Sequence, residues 1–345
     1  MNNPKYFNKK KHLDNLISNP YYHNLIKLRN TIEIACDIFF QKLGAPKIDL
    51  FLITKSVSSP IGKGSDSKPI SLKYNDRSLY LVDSAQFGME PLVFTAFEMV
   101  YCYLPSFRGE DPDHRHLNQF YHCEAEMRGE FKKCMIMVEN LVKHLVSVVI
   151  DEHKKGTYKF EKDNFEIIST LRTIKFPVVT FDEVDEILTK HGFSHLIKRY
   201  SFGRILTNQG ELKIGELIGK NKLPVWVTMF DRDVVAFYQK PNPDNLNKVL
   251  NGDLIFPSIK NSLGGEIVGC GQRQDNIEEL EESMRRQKIK NIESYKWYLD
   301  LRKNPSYQTT SGFGLGVERF IAWILGLDSI YDAAVYPVIK NEMVL

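Results

Sequence analysis

Three glycines alternate with larger residues near the C-terminal end of the chain, in the run Gly312-Phe-Gly-Leu-Gly-Val-Glu-Arg319. Alternate residues of a strand point to the same side of its sheet, so one face of this strand carries no side chains. A flat ring or a phosphate can lie against such a face, and Arg319 supplies a planar cation for it. A glycine-rich turn packed on a helix is the alternative interpretation. A dinucleotide fingerprint is disfavoured, because its third glycine would stand at position 317, which is valine.

Charged residues cluster around a polar turn in a second segment, Phe107-Arg-Gly-Glu-Asp-Pro-Asp-His-Arg-His-Leu-Asn-Gln-Phe120. Strands predicted on both sides of the turn make this segment a hairpin that carries Arg108, Glu110, Arg115 and His116. Cations on both arms could hold several phosphates of one nucleotide, and the ring of Phe120 could stack on its base. A solvated charged hairpin is the alternative.

Strands in local hairpins, with helices between them, predict an α+β domain around a mainly antiparallel sheet. An amphipathic helix is predicted over 22–42 and a strongly apolar helix over 317–327. Residues 275–300 are predicted to form a charged helical stretch. No internal repeat or Pro-rich linker divides the chain.

The overall charge is small, since 46 basic side chains stand against 43 acidic ones. No dense basic block indicates a dedicated nucleic-acid binder, and no apolar run reaches the roughly 18 residues that cross a bilayer. The basic N-terminal segment lacks the apolar core of a secretory signal, so we expect a cytoplasmic protein without a membrane partner. The five cysteines show no CxxC spacing, which argues against a disulfide framework and a zinc site.

Together, these segments resemble the catalytic domain of class II aminoacyl-tRNA synthetases, specifically the asparaginyl and aspartyl enzymes. Phe107-Arg-x-Glu, Arg115-His-Leu and Phe120-x-x-x-Glu124-x-Glu126 are similar to the family's motif 2, and the glycine run is similar to motif 3. Further matches are Gln86-x-x-x-Glu90, Asp253-Leu-Ile, Gly265-Glu-Ile-Val-Gly269, Gln272-Arg273 and Tyr298-Leu-Asp-Leu-Arg302. The resemblance covers about residues 22–338. It implies an antiparallel sheet flanked by helices, with an N-terminal extension at 1–21 and a catalytic domain at 22–345.

The resemblance also implies roles for the matching residues. Contacts to ATP would come from Arg108, Glu110, Arg115, His116, Phe120, Gly314, Gly316 and Arg319, with Arg108 and Arg319 as the catalytic cations at the phosphates. Asp253 and Glu266 would hold Mg²⁺, as hard carboxylate oxygens do. Gln86, Glu124 and Arg302 would bind the amino-acid substrate. Without their motifs, Asp253 and Glu266 would be interpreted as surface carboxylates and Arg302 as a solvated arginine.

Several departures from the family pattern bear on the acceptor. Only some twenty residues precede the first helix, too few for the anticodon-binding barrel of the family. Positions expected near the substrate also differ, among them Thr310, Tyr331 and Val338. We therefore expect ATP chemistry to be retained and the acceptor to be changed, as in the asparagine synthetases related to this family.

The function predicted is that of an AMP-forming carbon–nitrogen ligase. It would adenylate an aspartyl carboxylate, either free or on a peptide or other natural-product precursor, and pass it to ammonia or an amine. Two alternatives stay open: a truncated asparaginyl-tRNA synthetase-like enzyme that charges tRNA or another carrier, and a non-catalytic regulatory paralogue. The predicted partners are thus small molecules, with tRNA disfavoured. Because the first helix corresponds to the family's motif 1, a homodimer is also expected.

Overall fold

A computed structural model describes residues 4–59, 68–94, 96–161 and 163–338. The strands are β1 (Ile53–Thr54), β2 (Ser71–Tyr74), β3 (Arg77–Leu81), β4 (Met99–Phe107), β5 (Gln119–Arg128), β6 (Val178–Thr180), β7 (Ile197–Tyr200), β8 (Gly203–Leu206), β9 (Val225–Thr228), β10 (Pro241–Asn242), β11 (Asn245–Val249), β12 (Asn251–Phe256), β13 (Gly265–Gln272) and β14 (Thr310–Gly316). The α-helices are α1 (His12–Ser18), α2 (Pro20–Lys42), α3 (Gln86–Met89), α4 (Phe131–Lys154), α5 (Phe165–Ile168), α6 (Phe181–Lys190), α7 (Asn208–Leu217), α8 (Ile277–Gln287), α9 (Lys296–Asp300) and α10 (Val317–Leu325).

A seven-stranded sheet forms the centre of the fold, in the order β4-β5-β14-β13-β12-β9-β6. All neighbouring strands in it are antiparallel except β6 and β9, which are parallel. The prediction of an α+β fold with a mainly antiparallel sheet is confirmed. The cationic hairpin is formed by β4 and β5, and the glycine run is β14. Because β5 pairs with β14, the two motifs lie side by side.

The two faces of this sheet differ in the side chains they carry: one packs into the main core, and the other carries predicted site residues. On β5, the odd-numbered residues Cys123, Ala125 and Met127 are buried in the main core together with side chains of α2, α4 and α10. Side chains alternate along a strand, so the even-numbered residues of β5 project from the opposite face. That second face is where the predicted site residues gather.

The stretch 275–300 is less regular than its charge pattern predicts. Helix α8 ends at Gln287, and α9 begins only at Lys296. Lys288 and Asn291 between them adopt left-handed backbone conformations, with φ of 56° and 57°. These two residues turn the chain between α8 and α9.

The N-terminal residues are anchored on a segment that follows α10. The carboxylate of Asp332 accepts hydrogen bonds from the backbone N–H groups of Lys5, Tyr6 and Phe7, at 2.7, 3.0 and 2.7 Å. The hydroxyl of Tyr21 donates to the Asp332 carbonyl at 2.6 Å. Asp332 itself is fully buried. The division into an extension at 1–21 and a catalytic domain at 22–345 stays a prediction.

Within the ranges described, no helix combines the length and the apolar character needed to span a bilayer. The cytoplasmic location stays a prediction.

We expect Asp332→Ala to lower the free energy of unfolding by about 2 kcal/mol or more, because it leaves three N–H groups without their charged acceptor. Urea denaturation measures this change, with Asp244→Ala, an exposed turn residue, as the matched control. Equal stabilities of the two variants would contradict the anchoring role.

Candidate active site

The floor of the site is formed by β5 and β14. Register pairs His122 with Gly316, Glu124 with Gly314 and Glu126 with Gly312, so polar side chains on one strand face glycines on the next. A Cβ atom at Gly312 would overlap the carboxylate of Glu126 and the guanidinium of Arg273. These two groups form a buried ion pair, with Arg273 Nε and Nη2 donating at 2.9 and 2.8 Å. The bare strand face predicted from the glycine run is therefore present.

One cavity of about 380 Å³ brings together every residue predicted to contact the nucleotide. It is lined by Arg108, Glu110, Arg115, His116, Phe120, Gly314, Gly316 and Arg319, among others. The guanidinium of Arg108 lies over the ring of Phe120, 5.5 Å from its centre. The hairpin and the glycine strand thus contribute to one site, although their roles in binding ATP remain predictions.

The cavity is lined by both basic and acidic side chains, with Arg108, Arg115 and Arg319 as its arginines. Burial lowers the pKa of the His116 imidazole and the neighbouring Arg319 lowers it further, whereas the hydrogen-bonded Asp113 opposes this shift. Burial also lowers the pKa of Arg319 from its ordinary value. Arg108 Nε and Arg115 Nη1 are buried and have no hydrogen-bond partner among the described residues. Unpaired buried N–H groups are costly, and a polyphosphate would satisfy them.

Carboxylates gather beside these cations. A Cβ atom at Gly269 would lie 3.2 Å from Glu266 Oε1 and 3.4 Å from Asp253 Oδ1, so both carboxylates border this position. Burial, followed by the charges of Glu266 and Glu211, raises the pKa of Asp253 well above its ordinary value. Such mutual repulsion fits a divalent cation between Asp253 and Glu266. In the ranges described, no group of three or more His, Cys, Asp or Glu side chains forms a metal site, so phosphate oxygens would have to complete the coordination.

Glu211 is a site residue that the sequence analysis did not select. Its Oε2 accepts from Arg115 Nη2 at 3.1 Å and from the backbone N–H of Glu266 at 3.0 Å. Glu211 therefore fixes the position of Arg115, which is predicted to contact phosphates, and of Glu266, which is predicted to bind magnesium. In the sequence, Gln209-Gly-Glu211 stands where the family that this chain resembles has Glu-His-Glu, and this partial match is the signal for Glu211.

Glu90 and Arg302 form a buried ion pair at the other end of the floor. Arg302 Nη2 donates to Glu90 Oε1 at 2.6 Å, and Glu90 is fully buried. Gln86 Nε2 and the Tyr298 hydroxyl donate to Glu90 Oε2 at 2.8 and 2.6 Å. Burial opposes the charge of Arg302, but the Glu90 carboxylate outweighs it and raises the pKa of the guanidinium. The sequence predicts Gln86 and Arg302 as substrate contacts. Glu90 belongs to the match Gln86-x-x-x-Glu90, but the sequence analysis assigns it no role.

Glu124 lies between the cavity and this ion pair. It accepts from Ser84 Oγ at 2.5 Å and from the Ala85 N–H at 3.1 Å, while His122 Nδ1 lies 3.1 Å from its Oε1. Burial alone would raise the pKa of Glu124, but these partners outweigh it and the pKa is lowered. A buried carboxylate held in its charged form suits a substrate ammonium group.

Comparison with known proteins points to one family. The sequence model of the tRNA synthetases class II (D, K and N) matches residues 3–340. An asparagine–tRNA ligase from Pelotomaculum thermopropionicum is 32% identical over 323 residues, which is 93% of this chain and 70% of that ligase.

Solved structures agree with this match. Asparaginyl-tRNA synthetase from Pyrococcus horikoshii, complexed with asparaginyl-adenylate, superposes with a TM-score of 0.85 at 28% identity, over 97% of this chain and 72% of that one. The Entamoeba histolytica asparaginyl-tRNA synthetase complexed with asparaginyl-adenylate has a TM-score of 0.79 at 24% identity, over 99% and 73% of the two chains, and shows the fold alone.

These matches correct two predictions. The transfer of an aspartyl carboxylate to ammonia or an amine is wrong as the main function, and the preference for small-molecule partners over tRNA is wrong as well, because the similar proteins are tRNA ligases. The wrong acceptor was predicted because weight was given to positions that differ from the family pattern, such as Thr310. The sequence does not show the ion pair between Glu90 and Arg302.

We expect Arg319→Ala to weaken ATP binding by about tenfold or more, since it removes a buried cation from the cavity wall. Isothermal titration calorimetry measures the dissociation constant. The matched control is Arg285→Ala, because the Arg285 side chain is 61% exposed and pairs only with a residue of its own helix. Unchanged affinity in Arg319→Ala would remove this residue from the nucleotide site.

Proposed function

The chain belongs to the class II tRNA synthetases (D, K and N), which are ATP-dependent ligases, and we propose that it activates asparagine and attaches it to tRNA. The observation that carries this proposal is the hydrogen-bonding capacity left over at the ion pair of Glu90 and Arg302. The similarity to an asparagine–tRNA ligase and to an asparaginyl-tRNA synthetase complexed with asparaginyl-adenylate supports it.

The unused capacity at the ion pair fits one amide group. A carboxylate accepts about four hydrogen bonds, and among the described residues Glu90 accepts from Gln86, Tyr298 and Arg302, which leaves one acceptor position. A guanidinium has about five N–H bonds. Within the described part of the chain, Arg302 directs four bonds to Gln274, Tyr298 and Glu90, which leaves one donor position. The side-chain amide of asparagine can give one of its two N–H groups to the first position and accept at its carbonyl oxygen from the second.

Aspartate fits the same pocket poorly. Its carboxylate would lie against the buried Glu90 carboxylate, and like charges in a buried site repel strongly. It would also leave the open acceptor position of Glu90 without a donor, and a site built for a substrate N–H discriminates against an analogue that lacks it. The pocket therefore selects the amide.

The α-amino group of asparagine would lie between Gln86 and Glu124. Gln86 Oε1 is buried and accepts no hydrogen bond from the described residues. Glu124 provides a second, charged acceptor. An ammonium group satisfies both, and places the α-carboxylate toward the cavity where the cations lie.

Activation follows from that placement. The α-carboxylate attacks the α-phosphorus of ATP, and we assign Arg108 to stabilise the charge that develops there. Arg115, His116 and Arg319 would hold the outer phosphates, which leave as pyrophosphate. Asp253 and Glu266 would hold Mg²⁺, whose contribution is to neutralise phosphate charge.

A homodimer is proposed from the apolar side chains that α2 leaves exposed. Leu25, Leu28 and Ile32 are buried within the chain, whereas Ile34 and Ile38 are 48% and 40% exposed. Further exposed apolar residues are Ile26, Phe51, Leu52 and Ile53. Apolar surface of this kind is typical of a subunit interface.

The proposed activity is tested by charging total tRNA with labelled asparagine. We expect ATP-dependent formation of acid-precipitable asparaginyl-tRNA, weakened by added salt because phosphate contacts are electrostatic. Labelled aspartate, and tRNA with oxidised 3′ ends, are the controls. Activation of asparagine without any transfer to tRNA would refute tRNA as the acceptor.

We expect Glu90→Gln to lower the preference for asparagine over aspartate by about tenfold or more, because it removes the repelling charge and leaves Arg302 free to pair with an aspartate carboxylate. The ratio of kcat/KM for the two amino acids in ATP–pyrophosphate exchange measures this preference. Glu293→Gln, an exposed carboxylate, is the matched control. An unchanged ratio in a folded Glu90→Gln protein would refute the assignment.

We expect Ile34→Asp to convert a dimer to a monomer, since it places a charge in the proposed interface. Light scattering at micromolar concentration reports the mass. Leu246→Asp, at a residue on β11 that is 53% exposed, is the control. A monomeric wild-type protein would rule out the dimer.

A further inference from the structure

His122 is a polar group of the site that the proposed activation does not use. Its ring lines the cavity, and its side chain is 14% exposed. Its neighbour on β14 is Gly316, so no side chain from that strand covers the ring. The exposed face of the ring is therefore open to a bound substrate.

The position of His122 along β5 places it between the two halves of the site. Phe120 stands two residues before it, at the nucleotide end, and Glu124 stands two residues after it, next to the amino-acid pocket. Residues two apart on one face of a strand are about 7 Å from each other. The bond that joins the amino acid to AMP forms between these two ends of the site. His122 lies between the same two ends along β5.

The two ring nitrogens of His122 have different surroundings. Nδ1 lies 2.9 Å from Ser106 Oγ and 3.1 Å from Glu124 Oε1. No hydrogen bond to Nε2 is found among the described residues, and the ring borders the cavity. Because the carboxylate accepts from Nδ1–H, it favours the tautomer whose Nε2 carries a lone pair. The same carboxylate would stabilise the imidazolium that forms when Nε2 takes a proton.

We propose that His122 is the general base of the transfer step, which rests on the proposed function. The hydroxyl oxygen of the acceptor attacks the acyl carbon of the adenylate, and its proton passes to His122 Nε2. The bond between the acyl carbon and the phosphate oxygen breaks, and AMP leaves with the electron pair. The imidazolium then returns its proton to the phosphate of AMP or to water.

The test separates the two half-reactions. ATP–pyrophosphate exchange reports activation, and rapid-quench transfer from preformed adenylate to tRNA reports the second step. A general base typically accelerates a reaction 10²–10⁴-fold, so we expect His122→Gln to slow transfer by about that factor. The fold loss in the transfer rate should exceed the fold loss in the exchange rate by about tenfold or more. His195→Gln, at an exposed histidine, is the matched control.

Chemical rescue provides an independent readout. In His122→Gly, free imidazole should enter the space left beside Gly316 and restore part of the transfer rate, which a purely structural role would not allow. Equal losses in both half-reactions, or transfer in His122→Gly that imidazole leaves unchanged, would overturn the role of His122. A wild-type protein without asparagine-dependent exchange would overturn the proposed function, and with it this step.

Discussion

A strand without side chains on one face, next to a strand that projects polar groups, is the constraint on which the rest of the site depends. Because Gly312 leaves room, the ion pair of Arg273 and Glu126 can lie flat on β14. Gly314 and Gly316 extend the same bare surface toward the cavity, beside Glu124 and His122. A side chain at Gly314 or Gly316 would take up space in the cavity, so the polar side chains of β5 face open space because these residues are glycines.

The second determinant is the pairing of Glu90 with Arg302. Removing two charges from water is costly, and only close partners and further hydrogen bonds make their burial tolerable. Tyr298 supports both, since it donates to Glu90 and its ring lies 4.2 Å from the Arg302 guanidinium. Such a rigid arrangement keeps one acceptor and one donor position in place before the substrate arrives. The selectivity for an amide that we propose would thus be a property of the folded pocket.

The sequence was sufficient to group the residues predicted to bind the nucleotide, because they lie in two compact motifs on adjacent strands. Arg108 and Phe120 belong to one hairpin, and Arg319 follows the glycine run, so local patterns placed them together. Glu90 and Arg302 are 212 positions apart, and no local pattern shows that they touch. The break near Lys288 and the anchoring role of Asp332 also depend on tertiary contacts. The acceptor was mispredicted for a different reason, since weight was given to positions that differ from the family pattern, such as Thr310.

The most direct test of the account is ATP–pyrophosphate exchange by the wild-type protein with each of the twenty amino acids in turn. The arrangement of Glu90 and Arg302 predicts that asparagine supports exchange with kcat/KM about a hundredfold or more above that of aspartate, because an unpaired buried acceptor and a repelled carboxylate act together. Exchange with aspartate at an equal or higher efficiency would contradict the central claim that this ion pair selects an amide.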